Sequence, residues 1–247
     1  MVLDNLKKSK GDIFFKYRGQ FPILIFILVL PFLYYMNDVQ VITKNAFNYL
    51  SLLFTILGFS IRFYTIGTTP KGTSGRNRER QIAESLNSTG IYSIVRNPLY
   101  LGNYLIWLAI SFFTYNLFFV IIVSTIFWIF YYNIIKTEEI FLKKKFNKEY
   151  IDWVNKTPRF FRFNLFQNYK STSLRFSLKS ILRREYAGLL SAVISFVYID
   201  IIRQLFLTNN LEINQVLLNI LIIILLLSLI LKILKTYTRI LEEKDRS

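Results

Sequence analysis

The sequence contains no cysteine and no histidine. The first absence excludes a disulfide framework. The two together exclude Cys/His zinc sites, histidine-ligated haem, and any Ser-His-Asp or Cys-His catalytic set. Zinc and rhomboid-like proteases fall with the missing histidine. Acidic residues are scarce: 15 Asp and Glu stand against 31 Lys and Arg, for a net charge of +16. Strand-like alternation, internal repeats and low-complexity segments are also missing. Any chemistry must run on carboxylates, arginine, lysine, tyrosine and asparagine, with an imported cofactor and no metal.

Long apolar runs, by contrast, are plentiful. Of 247 residues, 53% are hydrophobic and 17% aromatic, and the mean hydropathy is +0.37. Soluble domains average about 45–50% apolar, and here the excess is gathered into membrane-length stretches. The expected fold class is therefore all-α: a polytopic membrane helical bundle of about six transmembrane helices. They are read at residues 21–36, 47–66, 99–115, 117–135, 187–206 and 216–234. Pro31 should kink the first. Little more than Asn116 separates the third from the fourth, which forces an antiparallel hairpin.

Lys and Arg are concentrated in residues 1–20, 67–98, 136–186 and the C-terminal tail, whereas the three intervening links hold only Lys44. The positive-inside rule then puts both termini in the cytoplasm, and the charge reads as topogenic rather than as a nucleic-acid surface. Lys7, Lys8, Lys10, Lys16 and Arg18 precede the first apolar run. No small-residue cleavage pattern follows it, so it reads as a retained helix and not a signal peptide. Arg76, Arg78 and Arg80 lie in a Gly/Pro-rich loop, as positive-inside charge or as a dock for lipid phosphates or a headgroup. Ile82, Ala83 and Leu86 suggest a short helix before Thr89-Gly90. Arg62, near the end of the second helix, reads as a snorkelling interfacial residue or a contact for an anionic group. Asp200 and Arg203, three residues apart, are expected to pair away from the basic loops.

One stretch carries the chemistry: Gly90-Ile91-Tyr92-Ser93-Ile94-Val95-Arg96-Asn97-Pro98-Leu99-Tyr100-Leu101-Gly102-Asn103. Gly90 can stop a preceding helix and Pro98 suits the first turn of the next. Tyr92, Arg96 and Tyr100 recur every four residues, and Gly102 allows close approach of a backbone or a flat ligand. An arginine and two phenols near a helix start suit an anionic group on an aromatic ligand. The hairpin should return Glu138 and Glu139 to the level of Arg96 and Tyr100. Glu138, Leu142, Phe146 and Tyr150 then form one stripe of an interfacial amphipathic helix, with Lys143, Lys144, Lys145 and Lys148 mostly on other faces.

At these residues the chain resembles the isoprenylcysteine carboxyl methyltransferase and phospholipid methyltransferase family, whose mark is Gly-x-Tyr-x-x-x-Arg-His-Pro-x-Tyr-x-Gly. Asn97 stands in the histidine position. The resemblance continues through Glu138-Glu139, Leu142, Phe146, Glu149-Tyr150, Trp153 and Thr157-Pro158-Arg159-Phe160, and covers residues 47–163. It implies a cofactor pocket for S-adenosylmethionine at the cytoplasmic helix ends, formed by Tyr92, Arg96, Asn97, Pro98, Tyr100, Gly102, Glu138 and Glu139. A lipid or lipid-like acceptor would enter from the bilayer. Arg159 is the candidate for orienting an anionic acceptor, and Glu138 or Glu139 for the general base that an amine would need. Asn97 keeps a donor but carries no titrating proton.

The chain accordingly divides into 1–46, an N-terminal end with one helix; 47–165, a methyltransferase core; and 166–247, a basic linker with two further helices. Two other readings remain open at this point: an NADPH-dependent membrane reductase of a sterol-like or enoyl lipid, and a non-enzymatic membrane protein with degenerate motifs.

Overall fold

The structure, a computed structural model, describes residues 10–19, 21–35, 40–70, 83–160, 167, 169–243 and 246. Apolar runs with few breakers satisfy their backbone groups internally, which in a bilayer means helices. Among the described residues there are seven α-helices and no strand: α1 Lys10–Tyr17, α2 Phe21–Tyr34, α3 Val41–Thr68, α4 Pro98–Phe112, α5 Leu117–Lys156, α6 Leu178–Thr208 and α7 Gln215–Tyr237. A 3-10 turn, Gly90–Ser93, precedes α4. The protein is a helical membrane bundle. By length and composition α3, α5, α6 and α7 can each cross a membrane. α2 and α4 are apolar but have 14 and 15 residues, about 21–23 Å of helix against roughly 30 Å of hydrocarbon.

The α4–α5 hairpin forms as its short link requires. Tyr115 adopts a left-handed φ of 59°, and the Asn116 side chain caps α5 by accepting the Phe119 N–H at 3.0 Å. α5 then runs on for 40 residues, interrupted only at Asn147 (φ 40°, ψ −106°). The expected amphipathic helix is therefore the second half of α5 rather than a separate element. α6 starts at Leu178, well before residue 187, because Ser177 caps it by accepting the Ser180 N–H at 3.0 Å. Its first turns bury Ser180, Ile181, Arg184 and Glu185, so a stretch that reads as basic linker carries a helical face. The short helix expected around Ala83 and Leu86 does not form: residues 83–89 are irregular. Asn87, Ser88 and Thr89 have side chains that compete with helical backbone bonds. Ile82 and the Arg76–Arg78–Arg80 cluster lie outside the described residues, as do Lys7, Lys8 and Met36.

Beside a smaller cluster of Phe59, Ile106 and Ala192, two larger packing centres hold the described helices together. In one, Phe127 stacks on Tyr131 at 4.1 Å between centroids, with Trp107 edge-on to Phe127 at 5.2 Å. The other gathers Val29 and Leu33 of α2, Phe119 and Val123 of α5 and Ile199 of α6. α7 packs on α6 and buries only Ser228 and Leu231; many of its other leucines and isoleucines, among them Ile223, Leu226 and Ile233, are exposed, as lipid-facing residues are. α3 and α4 cross at glycines. A β-carbon on Gly102 would sit 2.9 Å from the Gly58 carbonyl oxygen, and one on Gly58 would sit 2.8 Å from Ile106 Cγ1. Small residues at such a crossing let backbones approach closely.

The Asp200–Arg203 pair forms at 2.6 Å with both side chains buried. Arg203 Nη1 also donates to the Phe113 carbonyl at 2.7 Å, and Asp200 Oδ2 accepts the Asn214 N–H at 3.2 Å. The pair thus ties the α4–α5 turn to the α6–α7 loop at the end of the bundle opposite Pro98.

Candidate functional site

Gly90 adopts φ +58°, a left-handed conformation that a side chain would strain. Its N–H donates to the Lys170 carbonyl at 2.7 Å, so Gly90 opens the 3-10 turn instead of ending an α-helix. The Ser93 hydroxyl donates to the Gly90 carbonyl at 2.6 Å and accepts the Lys170 N–H at 2.9 Å. Asn97 leaves helical space (φ −127°, ψ 55°) and Pro98 begins α4, where its missing N–H costs nothing.

The downstream block docks onto this loop through backbone carbonyls. Trp153 Nε1 donates to the Tyr92 carbonyl at 2.8 Å, and the Arg96 N–H donates to the Pro158 carbonyl at 2.9 Å. Asn97 Nδ2 donates to the Arg159 carbonyl at 3.3 Å. Two blocks some sixty residues apart in sequence form one surface for this reason.

On that surface Glu139 lies between two guanidinium groups. Arg159 holds it in a fork, Nε to Oε1 at 3.1 Å and Nη2 to Oε2 at 2.5 Å. Arg96 Nη1 approaches Oε1 at 3.1 Å. Charge-assisted, bidentate bonds of this kind fix orientation as well as add energy. The fork to Glu139 also favours the charged form of Arg159 further. Two cations against one anion leave the cluster positive, and Arg96 Nε is buried with no hydrogen-bond partner among the described residues.

Beside it the Tyr100 hydroxyl donates to Glu138 Oε1 at 2.7 Å, and the Tyr100 ring packs on Tyr131 at 5.1 Å. Arg18, in the turn after α1, acts electrostatically on both Tyr100 and Glu138. Burial pushes the Tyr92 phenol well above its ordinary pKa, and this hydroxyl feels Arg184, Glu138 and Arg62. Tyr92, Arg96 and Tyr100 do not form one helical stripe, since Tyr92 lies in the 3-10 turn, Arg96 in the loop after it and only Tyr100 in an α-helix. Gly102 faces Gly58 and the Arg62 side chain; the close approach it permits is to another helix.

Sequence reasoning missed a second ionic group. Arg62 does not snorkel: its Nε and Nη2 grip Glu185 at 2.6 and 2.7 Å, and Nη1 donates to Asn103 Oδ1. The one signal for Glu185 was a single acid among Arg183, Arg184 and Lys179.

The bundle and its arginine–carboxylate clusters, set at one end beside a loop-to-helix junction, describe a membrane protein with a group of polar and charged side chains at that end. Compared with known families, residues 47–149 match the model described as phospholipid methyltransferase. The match runs from α3 into the second half of α5, over the Gly90–Gly102 motif and both glutamates. It agrees with the resemblance read from the motif and points to a membrane methyltransferase. No curated protein and no solved structure matches the chain.

Proposed function

We propose that this protein transfers a methyl group from S-adenosylmethionine to a lipid or lipid-like acceptor, carboxylate or amine, at the cytoplasmic face of the membrane. The observation that carries the reading is the convergence of Arg96, Glu139 and Arg159 with Tyr100 and Glu138 beside the start of α4. The donor set fits the cofactor. Arg96 Nε, buried and without a partner among the described residues, is a donor suited to a carboxylate. Glu138 accepts from Tyr100 and, as a carboxylate, has capacity for an ammonium or ribose hydroxyl as well.

When bound, S-adenosylmethionine supplies a methyl group already activated on a sulfonium. Arg96 and the Tyr92 and Tyr100 rings bind and orient it, the rings through stacking or cation–π attraction. Glu139 keeps Arg96 and Arg159 in place, and Arg159 orients an anionic acceptor. An amine acceptor would pass its proton to Glu138 or Glu139. Asn97 holds the second block through the Arg159 carbonyl and needs no titrating proton for that. Displacement chemistry of this kind gains most of its rate from alignment in a dry site.

The positive-inside pattern of the Lys/Arg-rich segments supports a cytoplasmic site. The test is transfer of radiolabelled methyl from S-adenosylmethionine into organic-extractable lipid by protein reconstituted in liposomes of total membrane lipid. Label incorporated by wild type and absent with Arg96→Ala supports the reading. Failure of wild type to incorporate label, with protection against proteolysis by NADPH, would replace it with the reductase.

A further inference from the structure

The segment that matches the methyltransferase family stops at residue 149, and α6 lies beyond it. Yet α6 sends a buried carboxylate into the bundle beside the site. Glu185 is buried, with 4% of its side chain accessible, and takes both arms of the Arg62 fork at 2.6 and 2.7 Å. The Arg62 stem reaches Glu185 only because Gly102 lacks a side chain: a β-carbon there would lie 2.6 Å from Arg62 Cγ. The third nitrogen of the guanidinium donates to Asn103 Oδ1. Asn103 and Arg62 both act electrostatically on the Tyr131 hydroxyl. Tyr131 packs on the Tyr100 ring at 5.1 Å, and Tyr100 donates to Glu138 at 2.7 Å.

Interactions therefore run from α6 through α3 and α4 to α5: Glu185, Arg62 and Asn103 by hydrogen bonds, Asn103 to Tyr131 electrostatically, then Tyr131, Tyr100 and Glu138 by ring packing and a hydrogen bond. Tyr131 is also held by Phe127, Phe130 and Trp107, and in a buried setting polar networks fix one arrangement when fully satisfied. We infer that Glu185 is a positioning residue of the cofactor site: by locking Arg62 and Asn103 it sets the Tyr131 and Tyr100 rings and, through them, the Glu138 carboxylate. The inference rests on the methyltransferase reading above and assigns α6 a task in it. It completes the site rather than appending to it.

The test is S-adenosylmethionine affinity, by calorimetry on the detergent-purified full chain, in wild type, Glu185→Gln, Tyr131→Phe and Asp200→Asn. Glu185→Gln should weaken binding about tenfold and Tyr131→Phe about threefold, within the range seen for residues in one network. Asp200→Asn weakens a more deeply buried pair on the same helix, away from the site, and should stay within about twofold, as distant sites do. Combined with Tyr100→Phe, Glu185→Gln should add less than its separate loss, because both act through one contact chain. Wild-type affinity in Tyr131→Phe, or an equal loss in Asp200→Asn, would overturn the inference while leaving the methyltransferase reading intact. If Glu185→Gln does not fold, Tyr131→Phe and the Asp200→Asn control decide alone. Wild-type protein that binds no S-adenosylmethionine would overturn both.

Discussion

Gly102→Ala separates a packing role for this glycine from a ligand-approach role. A β-carbon at 102 would lie 2.6 Å from Arg62 Cγ, 2.9 Å from the Gly58 carbonyl oxygen and 3.4 Å from Arg62 Cδ. The first contact is to the middle of a stem whose far end is fixed by Glu185 and Asn103, and the second is to backbone. Neither yields without moving α3 away from α4 or breaking the Arg62 fork. Overpacking of this kind costs about 1–3 kcal/mol. At about 2–4 °C per kcal/mol for a chain of this size, the melting midpoint should fall by about 2–12 °C. Gly188→Ala on α6 is the control, since its β-carbon would meet nothing nearer than Glu185 Oε2 at 3.7 Å. Alanine in place of helical glycine there should stabilise by about 0.5–1 kcal/mol. Intrinsic fluorescence of the three tryptophans reads both midpoints in detergent, and the lack of cysteine rules out thiol-reactive dyes. A Gly102→Ala midpoint equal to or above that of wild type would refute the crossing geometry.

Three further outcomes are expected. Glu139→Ala leaves Arg96 and Arg159 facing each other without their shared anion, and should weaken S-adenosylmethionine binding by about tenfold or more while membrane insertion persists. Trp153→Phe removes the donor to the Tyr92 carbonyl and should lower stability by about 0.5–1.5 kcal/mol, measured as a shift of the thermal midpoint. Lys144→Ala, on the exposed side of α5, should leave cofactor affinity within about 1.5-fold of wild type by calorimetry.

The helical bundle was legible because apolar runs and their basic borders are local signals. The helix start was legible at Pro98, whose missing N–H suits a first turn, whereas Gly90, which suits a helix stop, opens a 3-10 turn after irregular chain. The pairing of Glu138 and Glu139 with the motif followed from the brevity of the Asn116 link. Helix bounds failed where charge masked a buried face: Arg184 and Glu185 look like linker until the helix turns them inward. Arg62 was read as interfacial because its partner lies 123 positions away, beyond any periodicity. The docking of Trp153 and Pro158 onto the motif uses backbone carbonyls, which no side-chain pattern announces. Gly102 suited a ligand or a helix equally well in sequence, and only the path of Arg62 decides between them.

The central claim is that Arg96 and its neighbours hold S-adenosylmethionine, and the most direct measurement is calorimetric titration of the purified protein with that cofactor, Arg96→Ala alongside. Saturable binding by wild type at about micromolar concentrations, abolished in the variant, is the expected result. Equal binding by both proteins, or by neither, would contradict it.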